Sequence, residues 1–452
     1  MNNGLKKKYG LFTAIAMVMG IVIGSGVFFK AEKILVVTGG NLPIGILAWA
    51  IGGAIMMICA YTFATMSTRH EKVNGLVDYA EAAVGKKYSY YVGWFMATIY
   101  YPTLTSVLAW LTARYICVIL GWDITGGSCM VIACFLLILS FVINTLSPII
   151  AGKIQVSTLI IKLIPLLLMA VVGMIVGLTN GMIVENFTTI HDETIPTSTA
   201  LLSAVVAAAF AYEGWIIATS INSEIKNSKK NLPIALVFGS MAVIAVYILY
   251  YIGLSGAVDN ATMMQNGETG AKIAFQNVFG NFGGTAMFVF VVISCFGTLN
   301  GLMLGNCRGF YSIAVRNIGP KPQIFKQIDK ETDMPLSSCV LGLLLSAFWL
   351  LFFYGAMLSQ NKWFGFMNFD SSELPIITIY AFYIPIFFRM MVTEKGLHPF
   401  KRYVTPVFSI LGSIFMIFAA VISHGSEIFA YLIVFAVFMI LGLLFSKEKE
   451  LE

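Results

Sequence analysis

Three glycines interrupt an apolar run near the start of the chain. Gly20, Gly24 and Gly26, with Ser25 before the last of them, lie inside the apolar segment 11–37. Glycine weakens a helix because it loses more conformational freedom there than other residues do. A helix broken at this point ends its first half with free carbonyl groups and begins its second half with free amide groups. The amides suit a carboxylate and the carbonyls suit an ammonium group.

A second interruption lies at 210–215, within the apolar segment 198–223. It reads Phe-Ala-Tyr-Glu-Gly-Trp, so Phe210 precedes an ionisable Glu213 and a helix-weakening Gly214. Matching interruptions in two halves of a chain are the best sequence indication of a transporter binding site between inverted repeats. Each interruption alone could simply allow two helices to pack closely. Their pairing favours a site for a zwitterion, and an amino acid carries both of the required groups.

Two ionisable side chains, Lys162 and Glu213, are predicted far from both membrane interfaces. Lys162 follows Lys153 by nine residues, or about 13 Å of helix, which places it near the bilayer midplane. Ionisable groups at that depth are costly and usually functional. The Lys162 ammonium could hold backbone carbonyls, or lose its proton and couple transport to protons. Glu213 could stabilise a substrate ammonium, pair with Lys162, titrate, or point into a water-filled vestibule.

The elements that position these residues are membrane helices. Of 452 residues, 58% are hydrophobic and 11% are charged, far fewer charges than in water-soluble domains. Twelve apolar runs are long enough to cross a hydrocarbon core of about 30 Å. We number these runs as spans 1 to 12, at 11–37, 43–67, 88–120, 126–147, 153–178, 198–223, 232–258, 282–311, 336–356, 371–392, 404–424 and 427–446.

The turns between spans are short, which predicts one transmembrane domain over residues 1–452. Placing both termini in the cytoplasm leaves only six of the 28 lysines and arginines outside the predicted inner segments. These six are Lys30, Lys33, Arg114, Lys162, Lys272 and Lys362. The positive-inside rule therefore predicts a multi-pass protein of the cytoplasmic membrane with both termini inside.

Other classes of function find little support in the sequence. The seven cysteines form no CxxC pair, so we expect buried residues rather than metal ligands. The four histidines fall in predicted loops without a nearby metal or nucleophile partner, which argues against an enzyme. No selectivity ring or continuous polar stripe of a channel is evident. We expect no cofactor, no metal and no nucleic-acid partner.

Several strings resemble the amino acid–polyamine–organocation superfamily, specifically its branch of L-type and alanine–serine–cysteine exchangers. The likeness runs from end to end. It is carried by GIVIGSGVF at 20–28, GLVDY at 75–79, FAYEGW at 210–215, Glu224 with Asn227 and Pro233, and SCFGTLNG at 294–301 with Arg308, Phe310, Tyr311 and Arg316 downstream. Glu213 departs from the small residue common in this motif.

The resemblance implies a five-plus-five inverted repeat, about 11–178 and 198–392, with two additional helices at about 404–446 and with spans 1 and 6 broken. It implies that the substrate carboxylate meets the amides of Ser25 and Gly26. The substrate ammonium would meet the carbonyls of Val22 and Phe210, and the Phe210 ring would act as a gate.

Two further roles follow from the resemblance. Tyr101, in the string Tyr-Pro-Thr at 101–103, resembles members with small neutral substrates, although it could also be a packing residue beside a proline kink. Lys162 would place its ammonium where sodium-coupled relatives bind a cation between spans 1 and 8.

We therefore expect a sodium-independent exchanger of small neutral L-amino acids such as alanine, serine, cysteine and glycine, working by alternating access. The alternative is a proton-coupled amino acid symporter. Eukaryotic members join a heavy subunit through a cysteine in the outer turn between spans 3 and 4. That turn, about 121–127, contains no cysteine here, so we expect no such partner, although Cys129 lies just inside span 4.

Overall fold

The computed structural model describes residues 5–24, 26–71 and 74–446. Within that part of the chain the regular structure is helical, and eleven helices are long and apolar enough to cross a membrane. A shorter apolar helix, Glu427–Leu443, follows as the twelfth. The predicted all-α polytopic membrane class is confirmed. The boundaries of the two repeats and of the additional helices stay predictions.

The helices follow the predicted spans closely. Spans 1 to 6 contain Leu11–Val22 and Gly26–Val37; Leu42–Ser67; Lys86–Phe95 and Tyr101–Leu120; Gly127–Leu146; Pro148–Leu168 and Met174–Thr179; and Thr197–Tyr212 with the 3-10 helix Trp215–Glu224. Spans 7 to 12 contain Ser228–Ala257; part of Glu268–Asn306; Leu336–Phe353; Leu374–Thr393; Thr405–His424; and Glu427–Leu443. The π-helical turns Met96–Tyr100, Met169–Gly173, Tyr354–Leu358 and Phe400–Val404 extend spans 3, 5, 9 and 11.

Short helices lie between the spans. They are Gly75–Ala83, Met182–Thr188, Asn260–Asn266, Gly309–Ala314, Pro322–Phe325 and the 3-10 turn Gly365–Met367. The helix Glu268–Asn306 begins well before the predicted span 8 and changes direction at Gly280, where φ is 74°. A glycine adopts this left-handed conformation without the steric penalty of a side chain.

Span 1 is broken where its glycines predict a break. Its first half ends at Val22, Ile23 has non-helical angles of φ −74° and ψ 88°, and the second half begins at Gly26. Ser25 itself lies outside the described residues. Span 6 is broken at Gly214, which has a φ of 106°. We call the four pieces spans 1a, 1b, 6a and 6b.

The two breaks lie against each other in the centre of the molecule. A Cβ atom added to Gly26 would lie 2.7 Å from Cα of Ala211, and one added to Gly214 would lie 2.5 Å from Cγ2 of Ile21. Because these distances are shorter than any normal carbon–carbon contact, larger residues would force the breaks apart. Gly26 and Gly214 therefore allow the two spans to approach each other closely, in addition to breaking the helices.

The cysteines follow their prediction with one exception. Cys134 is exposed on span 4, whereas the other six are buried. An exposed cysteine on a membrane-facing helix surface needs no special role, since the thiol packs as a small apolar group.

Candidate substrate site

A cavity of about 30 Å³ lies between the two broken spans. That volume holds roughly one or two water molecules. Its lining is Ile21, Val22, Gly24, Gly26, Leu104, Leu108, Phe210, Glu213, Gly214, Thr298, Leu302 and Ile376. The wall thus combines two stretches of irregular backbone with aliphatic side chains from spans 3, 8 and 10.

The ammonium of Lys162 binds the backbone of the span 1 break. It donates to the carbonyl oxygens of Gly20 at 2.6 Å and Ile23 at 2.5 Å. Its distance to the Thr298 hydroxyl on span 8 is 3.4 Å. The Lys162 side chain is fully buried, and such a charge is tolerated only when it is compensated by good acceptors.

Hydroxyl groups from span 8 complete this oxygen cluster. The Thr298 hydroxyl lies 3.1 Å from the Gly20 carbonyl, and the Ser294 hydroxyl lies 3.3 Å from the Gly24 carbonyl. Oxygen atoms of spans 1 and 8 therefore surround the Lys162 ammonium. Carbonyl and hydroxyl oxygens are also the ligands that a hard cation prefers.

Tyr247 of span 7 joins the two breaks. Its hydroxyl lies 2.8 Å from the Val22 carbonyl and 3.1 Å from the Ala211 carbonyl. The Val22 carbonyl also accepts the amide of Gly24 at 2.8 Å. A carbonyl oxygen has two lone pairs, so the acceptor capacity of Val22 is already used in this conformation.

Glu213 is buried at the end of span 6a. One of its carboxylate oxygens accepts a hydrogen bond from the Tyr100 hydroxyl. The other, Oε2, is buried and makes no hydrogen bond to any described residue. Glu213 and Lys162 have separate partners, so the predicted alternative of a pair between them is not formed in this structure. Glu213 is also among the residues that line the cavity.

The predicted site residues divide into three groups. Val22, Gly24, Gly26, Phe210, Glu213 and Gly214 line the cavity. Gly20 lies behind it, where its carbonyl binds Lys162. Ser25 lies outside the described residues.

Tyr101 is not among the residues that line the cavity. It is fully buried, and a Cβ atom on Gly305 of span 8 would lie 2.9 Å from its ring. The structure therefore gives Tyr101 a packing position, because its ring fills the space that Gly305 leaves open. Its predicted place at the substrate stays a prediction, and the neighbouring Tyr100 is the tyrosine whose hydroxyl contacts Glu213.

A group of charges, the outer cluster, closes the predicted outer side of the cavity. It consists of Lys30 and Lys33 on span 1b, Glu373 before span 10, and His424 at the end of span 11. Glu373 accepts hydrogen bonds from Lys30 and, at 3.1 Å, from Lys33. His424 Nε2 lies 3.1 Å from its other oxygen. The Lys30 ammonium also lies 4.5 Å from the centre of the Phe210 ring, a cation–π contact.

A second group, the inner cluster, closes the opposite side. It consists of Lys8, Glu224, Arg308 and Asp333. The guanidinium of Arg308 binds both oxygens of Glu224 in a fully buried pair. Lys8 lies 3.3 Å from Glu224 and 2.7 Å from Asp333. We call this arrangement, a small cavity with a cluster of paired charges on either side, the occluded form.

Tyr100, Tyr247 and the pair of Lys30 with Glu373 are parts of the site that were not predicted from the sequence. Lys30 was counted only among the cations outside the predicted inner segments, and no sequence pattern singled out Glu373. Neither tyrosine stands out, because the chain has 19 and only the fold brings these two to the breaks. A signal for the outer cluster did exist: Lys30 and Lys33 follow Gly26 by four and seven residues, and two lysines so close together are unusual on an outer segment.

The chain is similar to known proteins over most of its length. The serine/threonine exchanger SteT of Bacillus subtilis is 28% identical over 429 residues, covering 93% of each chain. The human b(0,+)-type amino acid transporter 1 is 24% identical and covers 98% of this chain and 87% of its own. The aspartate-proton symporter of Bacillus subtilis is 24% identical and covers 93% of this chain and 79% of its own.

These relatives are transporters of amino acids, as their names state. The family model described as amino acid permease matches residues 9–445, which is nearly the whole chain and includes both breaks, the outer cluster and all of the inner cluster except Lys8. Together with the twelve apolar helices, this match identifies a multi-pass membrane transporter. The chain belongs to the amino acid permease family.

Proposed function

We propose that this protein is a sodium-independent exchanger of small neutral L-amino acids, with alanine, serine, cysteine and glycine as the expected substrates. The observation that carries the proposal is the Lys162 ammonium among the oxygens of spans 1 and 8. A tethered ammonium supplies the charge that a bound sodium ion would supply there. Because it cannot dissociate, the transporter gains no driving force from a sodium gradient.

The cavity supports small, uncharged side chains. About 30 Å³ remains in the occluded form, and the aliphatic Leu104, Leu302 and Ile376 stand around it. A long or charged side chain would have to displace these residues or lose its hydration without compensation. SteT, the serine/threonine exchanger, has small substrates by its name.

The substrate backbone would bind between the breaks. We assign the carboxylate to the amides of Ser25 and Gly26 at the start of span 1b, where a helix N-terminus favours an anion. The ammonium would lie near the Phe210 carbonyl and Glu213. The Val22 carbonyl can take part only if it exchanges its bond with Tyr247, whose hydroxyl now occupies it at 2.8 Å.

The proposal places the protein in the cytoplasmic membrane with both termini inside, following the distribution of lysine and arginine. It requires no disulfide-linked heavy subunit. The cysteine nearest to the turn at 121–127, Cys129, is fully buried, and a buried thiol is not available for a bond to a partner.

Proteoliposomes test the exchanger directly. Labelled alanine uptake should require unlabelled alanine inside, and it should be equal in sodium and choline buffers. The variant Lys162→Ala should lose most exchange while retaining alanine binding, because the breaks still form but the balance between the two facing states is upset. Thr298→Ala is a graded comparison: it removes the weaker 3.4 Å contact to the ammonium and keeps the two carbonyl contacts of Lys162, so its loss of exchange should be smaller. Fast uptake into empty liposomes driven by sodium would disprove exchange.

The second candidate is proton-coupled symport. It is favoured by the buried, unpartnered oxygen of Glu213 and by the similarity to an aspartate-proton symporter. Uptake into empty liposomes driven by a pH gradient alone would support it. Glu213→Gln should abolish that uptake if the carboxylate carries the proton, whereas in an exchanger the same variant should change mainly the affinity for substrate.

A further inference from the structure

A crevice separate from the substrate cavity lies between span 1a and the first half of span 5. Its volume is about 420 Å³, far larger than the occluded substrate cavity. Thr13 of span 1a and Lys153 and Ser157 of span 5 give it polar groups, and Ile149 and Val156 give it an apolar wall. The proposed orientation, on which this inference rests, places the crevice at the inner leaflet of the membrane.

The crevice contains two lysines in different electrostatic situations. Lys8 is committed to carboxylates, at 2.7 Å from Asp333 and 3.3 Å from Glu224. Lys153 is exposed, and no carboxylate of the described residues lies within ion-pair distance of it. A positive charge without a protein counterion at the edge of a crevice attracts an anionic ligand.

The surroundings of the crevice are apolar and face outward from the protein. Phe12 beside it is 84% exposed, and Ile149 and Ile160 on span 5 are 58% and 62% exposed. In a membrane helix bundle such side chains contact acyl chains. A ligand that satisfies the whole site therefore has an anionic head and an apolar tail.

We propose that the crevice binds an anionic phospholipid of the inner leaflet, with its phosphate at Lys153 and an acyl chain along Val156. Basic pockets between membrane helices on the cytoplasmic side bind such headgroups in general. A free inorganic anion would satisfy Lys153 but not the apolar wall.

The bound lipid lies on a seam that is important for transport. Span 1a is held to span 5 by Tyr9, whose hydroxyl donates to the Pro148 carbonyl at 3.0 Å, and by Gln155, whose amide donates to the Ala16 carbonyl at 3.4 Å. Alternating access moves one group of helices against another, and a separation of span 1a from span 5 would break both of these bonds. A lipid that fills the crevice contacts both of them, so it stabilises the form that is closed to the inside.

Native mass spectrometry of the purified protein, titrated with phosphatidylglycerol or phosphatidylcholine in the absence of amino acid, tests the site. Lys153→Gln removes the charge, and Val156→Trp fills the apolar wall while keeping Lys153. Lys229→Gln is the matched control, because Lys229 is another exposed lysine, at the start of span 7 and outside the crevice.

We expect the affinity for the tightest phosphatidylglycerol to fall about five-fold in Lys153→Gln, which is the loss expected for one lysine near an anionic headgroup. A similar loss should follow Val156→Trp, with no change in Lys229→Gln. The affinity for phosphatidylcholine should be the same in the wild type and in the three variants.

Three results would overturn the proposal. The first is an unchanged affinity for phosphatidylglycerol in Lys153→Gln. The second is an equal loss of affinity in Lys229→Gln, which would indicate diffuse attraction. The third is displacement of the lipid by inorganic phosphate, which would indicate a site for a free anion. The measurement contains no transport step. A failure of the exchanger proposal would therefore leave it unaffected, and a failure here would leave the exchanger proposal standing.

Discussion

The outer and inner clusters each surround one glutamate, but they hold the cavity closed in different ways. In the outer cluster, Glu373 is bound by the side chains of Lys30 and Lys33. In the inner cluster, Glu224 has a fully buried pair with Arg308, and its backbone carbonyl also accepts the amides of Lys8 at 2.9 Å and Tyr9 at 3.0 Å. The inner closure therefore combines side-chain and backbone bonds, whereas the outer cluster is held by the side chains of Lys30, Lys33 and His424 on Glu373.

The backbone bonds come from a short strand-like contact at the start of the chain. Tyr9 pairs with Ile225 as an isolated parallel bridge, and the Tyr9 carbonyl accepts the amide of Lys226 at 2.8 Å. This contact ties the segment before span 1a to the end of span 6b. Several bonds must break together on the inside, so we expect the empty occluded protein to open more readily to the outside.

Among the substitutions in the two clusters, the removal of Arg308 should have the largest effect on exchange. Arg308→Met leaves the Glu224 carboxylate buried with Lys8 as its remaining cation, and loss of one partner of a buried pair costs about 3–5 kcal/mol. We expect the closed inner side to be lost and exchange to fall more than ten-fold, as about 1.4 kcal/mol corresponds to a factor of ten. Cys307 and Cys339 next to this pair are buried, so their alkylation by a maleimide reports the opening.

The control for this prediction is Arg308→Lys, which keeps the charge but not the two parallel bonds of a guanidinium. The two cysteines should be alkylated in Arg308→Lys at a rate between those of the wild type and Arg308→Met. If Cys307 and Cys339 are alkylated as slowly in Arg308→Met as in the wild type, the buried pair does not determine inner closure. The proposed difference between the two clusters would then be wrong for the inner cluster.

Glu373→Gln should have a smaller effect on the outer side. It leaves Lys30 and Lys33 close together without their shared carboxylate, so span 1b should move away from span 10. The protein should still fold, because Lys33 is 42% exposed and water replaces part of the lost interaction. In exchange assays we expect the KM for external alanine to change several-fold. The KM for internal alanine should change much less. Equal changes on both sides would contradict an outer role.

The sequence predicted the class, the spans and both breaks because each depends on local composition. Apolar length defines a span, and a glycine such as Gly24 or Gly214 marks a break without any knowledge of tertiary contacts. The position of the Lys162 ammonium between spans 1 and 8 came from the family resemblance rather than from composition, and the contacts to Gly20, Ile23 and Thr298 agree with that position.

The contacts between distant spans could not be predicted in the same way. Tyr100 and Tyr101 are neighbours in one helix, so they point in directions about 100° apart and only the rotation of span 3 decides which of them reaches Glu213. Similarly, nothing local to Tyr247 indicates that its hydroxyl bridges Val22 and Ala211. Helix rotation and packing are properties of the assembled bundle.

Lys30 and Lys33 divide the outer cluster into a buried part and an exposed part. Lys30 is 2% exposed and covers the Phe210 ring, so Lys30→Met should remove both its bond to Glu373 and the cation from the gate. We expect the turnover of exchange to fall more than the affinity, because a gate acts on closure. Lys33→Met should change either quantity by less than about five-fold, the range of a surface ion pair. Equal effects of the two substitutions would place both lysines at the surface.

Substitution of Asp329 should have the smallest effect on exchange activity. It also tests how the segment beside the inner cluster depends on pH. It lies in the segment after the short helix Pro322–Phe325, where its carboxylate accepts the amide of Thr332 at 2.8 Å and the Thr332 hydroxyl at 2.9 Å. These bonds lower the pKa of Asp329 below its usual value. The segment also carries Asp333, which holds Lys8 in the inner cluster.

A carboxyl group with a lowered pKa stabilises the folded segment above the pKa of the unfolded chain, and that contribution is lost as the pH falls through the lower, folded value. Amide hydrogen exchange of residues 326–335, corrected for intrinsic rates, should therefore show protection at pH 6 that decreases toward pH 3. Asp329→Ala should be less protected at pH 6 and nearly independent of pH over this range, with only a slight loss of exchange activity. If the variant keeps the pH dependence of the wild type, another group near this segment must carry the titration, with Asp333 as the next to substitute.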